Sequence, residues 1–60
     1  MTAKELIKRL KSDGWVEIRQ IGSHKQFKHP SKPGLVTVLF HTGDIATGTL
    51  RSIIKHAGLQ

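Results

Sequence analysis

Cysteine is absent from this 60-residue sequence, and so are long apolar stretches. Without cysteine the chain forms no disulfide and offers no thiolate to a metal or a substrate, a composition that suits a reducing compartment. No segment approaches the ~18 consecutive apolar residues of a membrane span, and the first residues lack the pattern of a signal peptide. We therefore expect a cytoplasmic protein that does not bind a membrane.

Acidic residues are also scarce: four Asp and Glu stand against ten Lys and Arg, for a net charge of +6 and an isoelectric point near 10.4. Such a charge attracts polyanions, with nucleic acid the first candidate and anionic membrane the second. A basic surface that serves solubility alone is the alternative. A chain of 60 residues predicts one domain, 1–60, which buries only ~60% of its unfolded surface and has no room for a deep cleft.

Two segments carry the apolar spacing of helices. In the first, MTAKELIKRLKSDG, Thr2 and Glu5 have the spacing of a capping box and Gly14 suits the end. In the second, TGTLRSIIKHAGLQ, Thr47 is the predicted N-cap and Gly58 the end. The predicted buried stripes are Ala3, Leu6, Ile7 and Leu10 in the first helix, and Leu50, Ile53, Ile54 and Ala57 in the second.

Three strands are predicted between the helices. WVEIRQI alternates, with Val16 and Ile18 on the face expected to be buried and Glu17 and Arg19 on the other. The two-residue loop Gly22–Ser23 indicates a hairpin with the segment that follows. Extending this hairpin without interruption predicts the pairs Ile21–His24, Arg19–Gln26, Ile18–Phe27 and Glu17–Lys28. In the third strand, LVTVLF, alternation places Val36, Val38 and Phe40 on the inward face. It does not decide between pairings with the second strand that differ by two residues.

The order of elements is α-β-β-β-α, which predicts an α+β fold with a three-stranded antiparallel sheet. Neither the helices nor the sheet can bury an apolar side alone, so both helices should cover one face of the sheet. The other face is then open to solvent. By strand alternation the side chains expected on this open face are Arg19, His24, Gln26, Lys28, Thr37 and His41.

His24 is the residue on that face whose side chain suits the most kinds of chemistry, and four roles are considered for it. Ser23 and His24 cannot form a nucleophile–base pair, because neighbours on a strand point apart. A metal site is disfavoured because His24 and His29 fall on opposite faces, cysteine is absent and carboxylates are few. A structural histidine and a proton-transfer group acting on RNA, which carries its own 2′-hydroxyl nucleophile, both remain open.

The roles of four further residues follow from their positions. Trp15 is expected in the core at the foot of the first helix. Alternation turns Lys25 toward the helices, but its long side chain can still reach solvent beside the hairpin. His29 precedes Pro30 in a turn and is expected to be solvated, and His56 is assigned no function.

Several short segments, in this order along essentially the whole chain, resemble the HicA toxins, also called the YcfA-like family. They are GW after the first helix, GSH opening the second strand, FKHP after it, VTVLFH on the third strand and GTLRSIIKHAGL on the last helix. The resemblance implies a fold like that of a double-stranded-RNA-binding domain. It also implies an mRNA interferase that is held inactive by a HicB antitoxin.

The histidine of the family's Gly-Ser-His motif is the catalytic one, which implies this role for His24 and includes Gly22 in the motif. Family members often have Val-Pro-Arg-His on the third strand, where this chain has Val38, Leu39, Phe40 and His41. The arginine is therefore missing at position 40, while the histidine is retained.

These observations and the resemblance together predict an endoribonuclease that needs no metal or other cofactor and is a monomer when alone. They also predict two sets of binding residues. RNA contacts are predicted at Arg19, Gly22, Ser23, Lys25, Lys28 and His41. Antitoxin contacts are predicted at Ile21, His24 and Leu39, where exposed aliphatic side chains surround the histidine.

A non-catalytic double-stranded-RNA-binding module is the main alternative, and an adaptor domain is the third. The lysine cluster that such RNA-binding modules carry at the start of the last helix is absent, since the helix offers only Arg51 early and Lys55 late.

Overall fold

The structure, a computed structural model of the chain, describes residues 1–59. Its elements are α1 (Ala3–Ser12), β1 (Val16–Ile21), β2 (His24–Lys28), β3 (Val36–Leu39) and α2 (Thr47–Ala57). The three strands form one antiparallel sheet in the order β1-β2-β3. Both helices contribute to a single core on one face of this sheet, so the predicted α-β-β-β-α architecture is confirmed. Neither helix is long and apolar enough to cross a membrane.

The start of α1 is the predicted capping box. The Glu5 amide donates to Thr2 Oγ1 at 3.2 Å, and the Thr2 amide donates to Glu5 Oε1 at 2.8 Å. This second hydrogen bond, with one from the Thr2 hydroxyl, lowers the pKa of the Glu5 carboxyl below its ordinary value. The whole predicted stripe of α1 is buried, and Gly14 follows the helix with a φ of 105°.

The start of α2 differs from the prediction, because Thr47 is its first helical residue and Ala46 is the N-cap. The Ala46 backbone is extended, and its carbonyl already accepts the first helical hydrogen bond, from the Leu50 amide at 2.9 Å. The helix therefore begins at Thr47 itself, one residue earlier than predicted, and no side chain caps it. Its end is as predicted, since Gly58 has a φ of 66° and its amide donates to carbonyls of the last turn.

The β1–β2 hairpin has the predicted register only near its turn. Ile21 pairs with His24 and Arg19 with Gln26, but beyond them a β-bulge leaves Ile18 without a partner. The predicted pairs Ile18–Phe27 and Glu17–Lys28 are therefore wrong: the structure pairs Glu17 with Phe27, and Val16 with Lys28.

Trp15 explains the bulge. It is one of the largest fully buried side chains of the chain and must face the helices, as predicted. Strict alternation from Trp15 would turn Arg19 and Ile21 inward as well. The extra residue at Ile18 reverses the phase, so that Trp15 and Glu17 face the helices while Arg19 and Ile21 face solvent.

The core lies between this inner face and the two helices. Val36 and Val38 of β3 are buried in it as predicted, but Phe40 is not: it follows the last residue of β3 and stays exposed. The prediction that Phe40 is buried is wrong because the helices cover the sheet only as far as β3 extends. The buried cluster comprises Ala3, Leu6, Ile7, Leu10, Trp15, Phe27, Val36, Val38 and Ala57.

Polar contacts tie the end of α2 to the end of α1. Trp15 Nε1 donates to the Ala57 carbonyl at 3.3 Å, and Lys32 Nζ donates to the same carbonyl at 3.1 Å. Lys32 also donates to the carboxylate of Asp13, and this hydrogen bond lowers the pKa of Asp13 below its ordinary value. Arg9 completes the link through the carbonyl of Leu59.

His29 belongs to this structural link rather than to solvent, which corrects the prediction. Its Nδ1 accepts from the Ser31 amide at 3.0 Å, so its Nε2 is the donor to the Asp13 carbonyl, at 2.7 Å. The ring stands edge-on to Trp15, with centroids 5.3 Å apart, and its side chain is only 8% exposed. Sequence alternation missed this role because the partners come from another segment.

Candidate functional site

His24 lies on the open face of the sheet, the face that the helices leave to solvent. It is the first residue of the middle strand, and it pairs with Ile21 of β1 on one side and Leu39 of β3 on the other. Directly opposed side chains on neighbouring strands are about 5 Å apart at Cβ. The exposed imidazole is therefore flanked by two aliphatic side chains. The pairing of His24 with Leu39 also fixes the register between β2 and β3, which the sequence left undecided.

A second row of side chains crosses the same face. Arg19 pairs with Gln26, and Gln26 pairs with Thr37. Arg19 Nε donates to Gln26 Oε1 at 3.0 Å, which holds the guanidinium against the sheet. Arg19 is diagonal to His24, a relation that places long side chains within reach of one another. A positive charge thus lies on the same face as the imidazole, one diagonal position away.

The bulge also removes negative charge from the open face. Glu17 turns inward, where its Oε1 lies 3.2 Å from Lys25 Nζ. Lys25 therefore takes the place predicted for Lys28 as the partner of Glu17. Lys28 stays exposed opposite Val16. The other acidic residues lie outside the strands, so the strand residues of the open face include cations and no carboxylate.

The turn before His24 is held on both sides. Gly22 has a φ of 57°, in the region that favours glycine, and a Cβ there would meet no neighbouring atom within 4 Å. Its carbonyl accepts from the Gln20 side chain at 2.9 Å. The Ser23 carbonyl accepts from the Phe40 amide at 2.7 Å, which joins the turn to the chain after β3. The hairpin therefore presents His24 from a fixed backbone.

His41 is not part of either row. It lies two residues after β3, and its Nδ1 donates to the carbonyl of Thr42 at 2.7 Å. Its ring lines a small cavity between β3 and the start of α2, and also a second cavity formed with the start of α1. The alternation of β3 could not locate this ring because the strand ends before it.

Four aliphatic side chains form an apolar patch around His24 and Arg19. Val16, Ile18, Ile21 and Leu39 are each between 48% and 57% exposed. Only Ile21 and Leu39 were expected here, because uninterrupted alternation turned Val16 and Ile18 toward the helices. The bulge doubles the number of exposed aliphatic residues, and an apolar patch of this kind on a small domain indicates an interaction surface.

Metal ligands do not cluster on the open face. Within residues 1–59, no three His, Asp or Glu side chains come close enough together to hold one ion. The groups that the geometry does bring together are an exposed imidazole, a fixed guanidinium, a backbone turn and an apolar rim.

The fold and this face define a class: a small basic α-β-β-β-α domain with an exposed histidine on the open side of its sheet. A protein-family model described as the HicA toxin of bacterial toxin–antitoxin systems matches residues 3–59. The match covers essentially the whole chain, and the chain therefore belongs to the HicA toxin family. A comparison with curated proteins gives no match.

Proposed function

We propose that this toxin is an endoribonuclease in which His24 transfers the proton that moves during cleavage of the RNA backbone. The imidazole would take the proton of a 2′-hydroxyl, which attacks the adjacent phosphorus, or give a proton to the leaving oxygen. The observation that carries the proposal is the exposure of His24, at the start of the middle strand, on a cationic sheet face whose strands carry no carboxylate there. An open face suits a polymer that no deep cleft could enclose.

Arg19 is the residue best placed to offset charge on phosphorus. Its hydrogen bond to Gln26 holds the guanidinium before substrate arrives, so little reorganisation is needed when negative charge develops. Gly22 and Ser23 would approach the RNA backbone at the turn, and Lys28 would add positive charge from the far end of β2. Lys25 would act at longer range, because Glu17 already engages its ammonium group.

The partner that inhibits the toxin would be a HicB-type antitoxin seated on the apolar patch. Ile21 and Leu39 flank His24 directly, so a protein that buries both of them also covers the imidazole. Inhibition then follows from occlusion alone. Leu39→Ser should weaken antitoxin binding with little effect on folding, because about half of Leu39 is already exposed. Leu39→Met keeps the apolar contact and serves as the control, and equal affinity of all three proteins would contradict this role.

The decisive experiment is cleavage of a labelled RNA in the presence of EDTA by the wild type, His24→Ala and His56→Ala. We expect cleavage by the wild type and a loss of about 10²- to 10⁴-fold in His24→Ala, the range for a general acid–base group. His56 lies in the last turn of α2, away from the sheet face, and its replacement should leave the rate unchanged.

Two outcomes would overturn the proposal. Equal cleavage by the wild type and His24→Ala would remove His24 from the reaction. RNA binding without cleavage by any of the three proteins would favour a non-catalytic RNA-binding module instead.

A further inference from the structure

A cavity at the end of the sheet is separate from the open face around His24. Its volume is about 450 Å³, within the range of small-ligand sites. It lies where the chain leaving β3 meets the start of α1. The residues that line it are Thr2, Lys4, Phe40, His41, Thr42 and Gly43.

Phe40 is the feature of this cavity that needs an explanation, since the ring is 42% exposed and does not belong to the core. It is nevertheless well anchored. Its amide donates to the Ser23 carbonyl, and Lys25 Nζ lies 5.0 Å from the ring centroid, in the range of a cation–π contact. Lys25 is held in turn by Glu17. The protein thus presents a positioned aromatic ring to solvent.

The cavity is joined to the candidate catalytic turn through the backbone. Phe40 is hydrogen-bonded to Ser23, the residue immediately before His24. Leu39, the residue before Phe40, is the direct cross-strand partner of His24. Because neighbouring residues on a strand point to opposite faces, His24 and Phe40 lie on either side of the same sheet end. A nucleic-acid strand that crosses this end would meet both.

We propose that the cavity binds a nucleobase of single-stranded RNA, stacked on Phe40, from a nucleotide that flanks the phosphate at His24. Lys4 would contact the phosphate of that nucleotide. This inference rests on the proposed ribonuclease function, since it names a subsite for the same RNA. Stacking on an aromatic ring within a cationic groove is the general way in which proteins hold single-stranded bases.

The combination of groups favours a nucleotide over other ligands. Lysines alone would bind any anion, and an exposed phenyl ring alone would bind any apolar surface. A nucleotide carries an aromatic base and a phosphate a short distance apart, and the cavity offers the Phe40 ring together with the ammonium group of Lys4. Gly43 leaves open space around its Cα, so the wall of the cavity does not hinder a flat base.

The protein side of the test compares Phe40→Ala, Phe40→Leu and Phe40→Trp. Removing a stacked base contact should raise KM and the Kd for RNA by roughly 5- to 150-fold, which is the usual worth of such a contact. The kcat should change little, because Phe40 does not touch the reacting atoms. Phe40→Leu keeps an apolar side chain and should be nearly as weak as Phe40→Ala. Phe40→Trp keeps an aromatic ring and should bind as the wild type does.

The RNA side uses substrates with a single abasic nucleotide at successive positions around the cleavage site. One flanking position should show a loss of affinity similar to that of Phe40→Ala, and the two losses should not add when they are combined. Fully additive losses at every position would overturn the proposal. Binding by Phe40→Leu equal to the wild type would overturn it as well.

The two proposals fail in different ways. Affinities are measured in the His24→Ala background, so stacking is tested whether or not the protein cleaves RNA. Absence of cleavage with a retained Phe40 effect would contradict the ribonuclease and keep the subsite. A Phe40→Ala variant with unchanged RNA affinity and weakened antitoxin binding would reassign the ring to a protein contact and overturn the subsite. Thermal unfolding of each variant controls for folding.

Discussion

The two faces of the sheet use neighbouring residues for opposite purposes. On β2, Phe27 is fully buried against the helices, whereas on the other side His24 is exposed and Gln26 is half-buried. The inner face collects the side chains whose removal from water stabilises the fold. The open face carries a histidine, fixed cations and exposed aliphatics that contribute little to stability. Folding and the proposed function thus depend on alternate residues of the same strands.

Deletion of Ile18 should break this division most severely. Without the bulge, strict alternation would expose Trp15 or turn Arg19 and Ile21 toward the helices. Losing the burial of a core tryptophan alone costs about 3–5 kcal/mol, which is most of the free energy of unfolding if the domain lies in the lower half of the ~3–9 kcal/mol expected for its size. We expect no cooperative thermal transition by circular dichroism.

Ile18→Ala is the matched control for that deletion. It keeps the bulge and shortens a side chain that is half exposed, so its free energy of unfolding should fall by no more than about 0.5 kcal/mol. A deletion variant that unfolds cooperatively near the wild-type temperature would contradict the role of the bulge.

Phe27→Ala tests the inner face directly. Phe27 is fully buried between the sheet and the helices, and a change of this type typically costs about 3–5 kcal/mol. We expect largely unfolded protein at 37 °C, measured by chemical denaturation. Leu39→Ala on the open face is the control and should stay within about 1 kcal/mol of the wild type, because half of the side chain is already in water. Similar losses in both variants would contradict the division between the faces.

Substitutions at the starts of the two helices, which lie on neither face of the sheet, should have smaller effects on stability. Thr2→Ala removes the cap of α1 and should lower the free energy of unfolding by about 1 kcal/mol. Thr47→Ala is a close control, since Thr47 starts α2 without capping it, and it should change stability by less than about 0.5 kcal/mol. An equal loss in both variants would contradict the observed start of α2.

The smallest expected effect is the pH dependence that comes from Asp13. The pKa of its carboxyl is lowered in the folded chain by the hydrogen bond from Lys32. The contribution of the ionised Asp13 to the free energy of unfolding is therefore complete above its ordinary pKa of 3.8. It is lost as the pH falls through the lowered pKa of the folded chain. Asp13→Asn should be slightly less stable at pH 7 and should lose less stability than the wild type between pH 5 and pH 2, measured by denaturant titration. Parallel acid profiles of the two proteins would contradict this contribution.

Local pattern predicted much of the fold because its signals lie within a few residues. Thr2 and Glu5 cap α1 within one turn, and Gly58 ends α2 by its own backbone conformation. The hairpin loop Gly22–Ser23 needs only its glycine, and it places His24 on the open face. Each of these predictions depends on one segment and its own geometry, which is why the structure agrees with them.

The predictions that failed depend on partners that are distant along the chain. His29 was expected in solvent, but Asp13 and Trp15, which follow the C-terminal end of α1, enclose it. Phe40 was expected in the core, but where the helical layer stops is decided by how the helices pack. The placement of Val16 and Ile18 failed because a bulge cannot be recognised from alternation alone.

The sequence by itself determined the order of the elements, the buried stripe of α1, the positive charge and the exposure of His24. These features follow from local hydrogen bonding and from the periods of helix and strand. Of the stripe predicted for α2, Ala57 is fully buried, whereas Leu50, Ile53 and Ile54 are only partly buried against the core. Only the tertiary structure decided the bulge at Ile18, the pairing of β2 with β3 and the position of Phe40. The physical reason is that a core of this size must bury Trp15 and Phe27 together, and the strands shift by a residue to allow it.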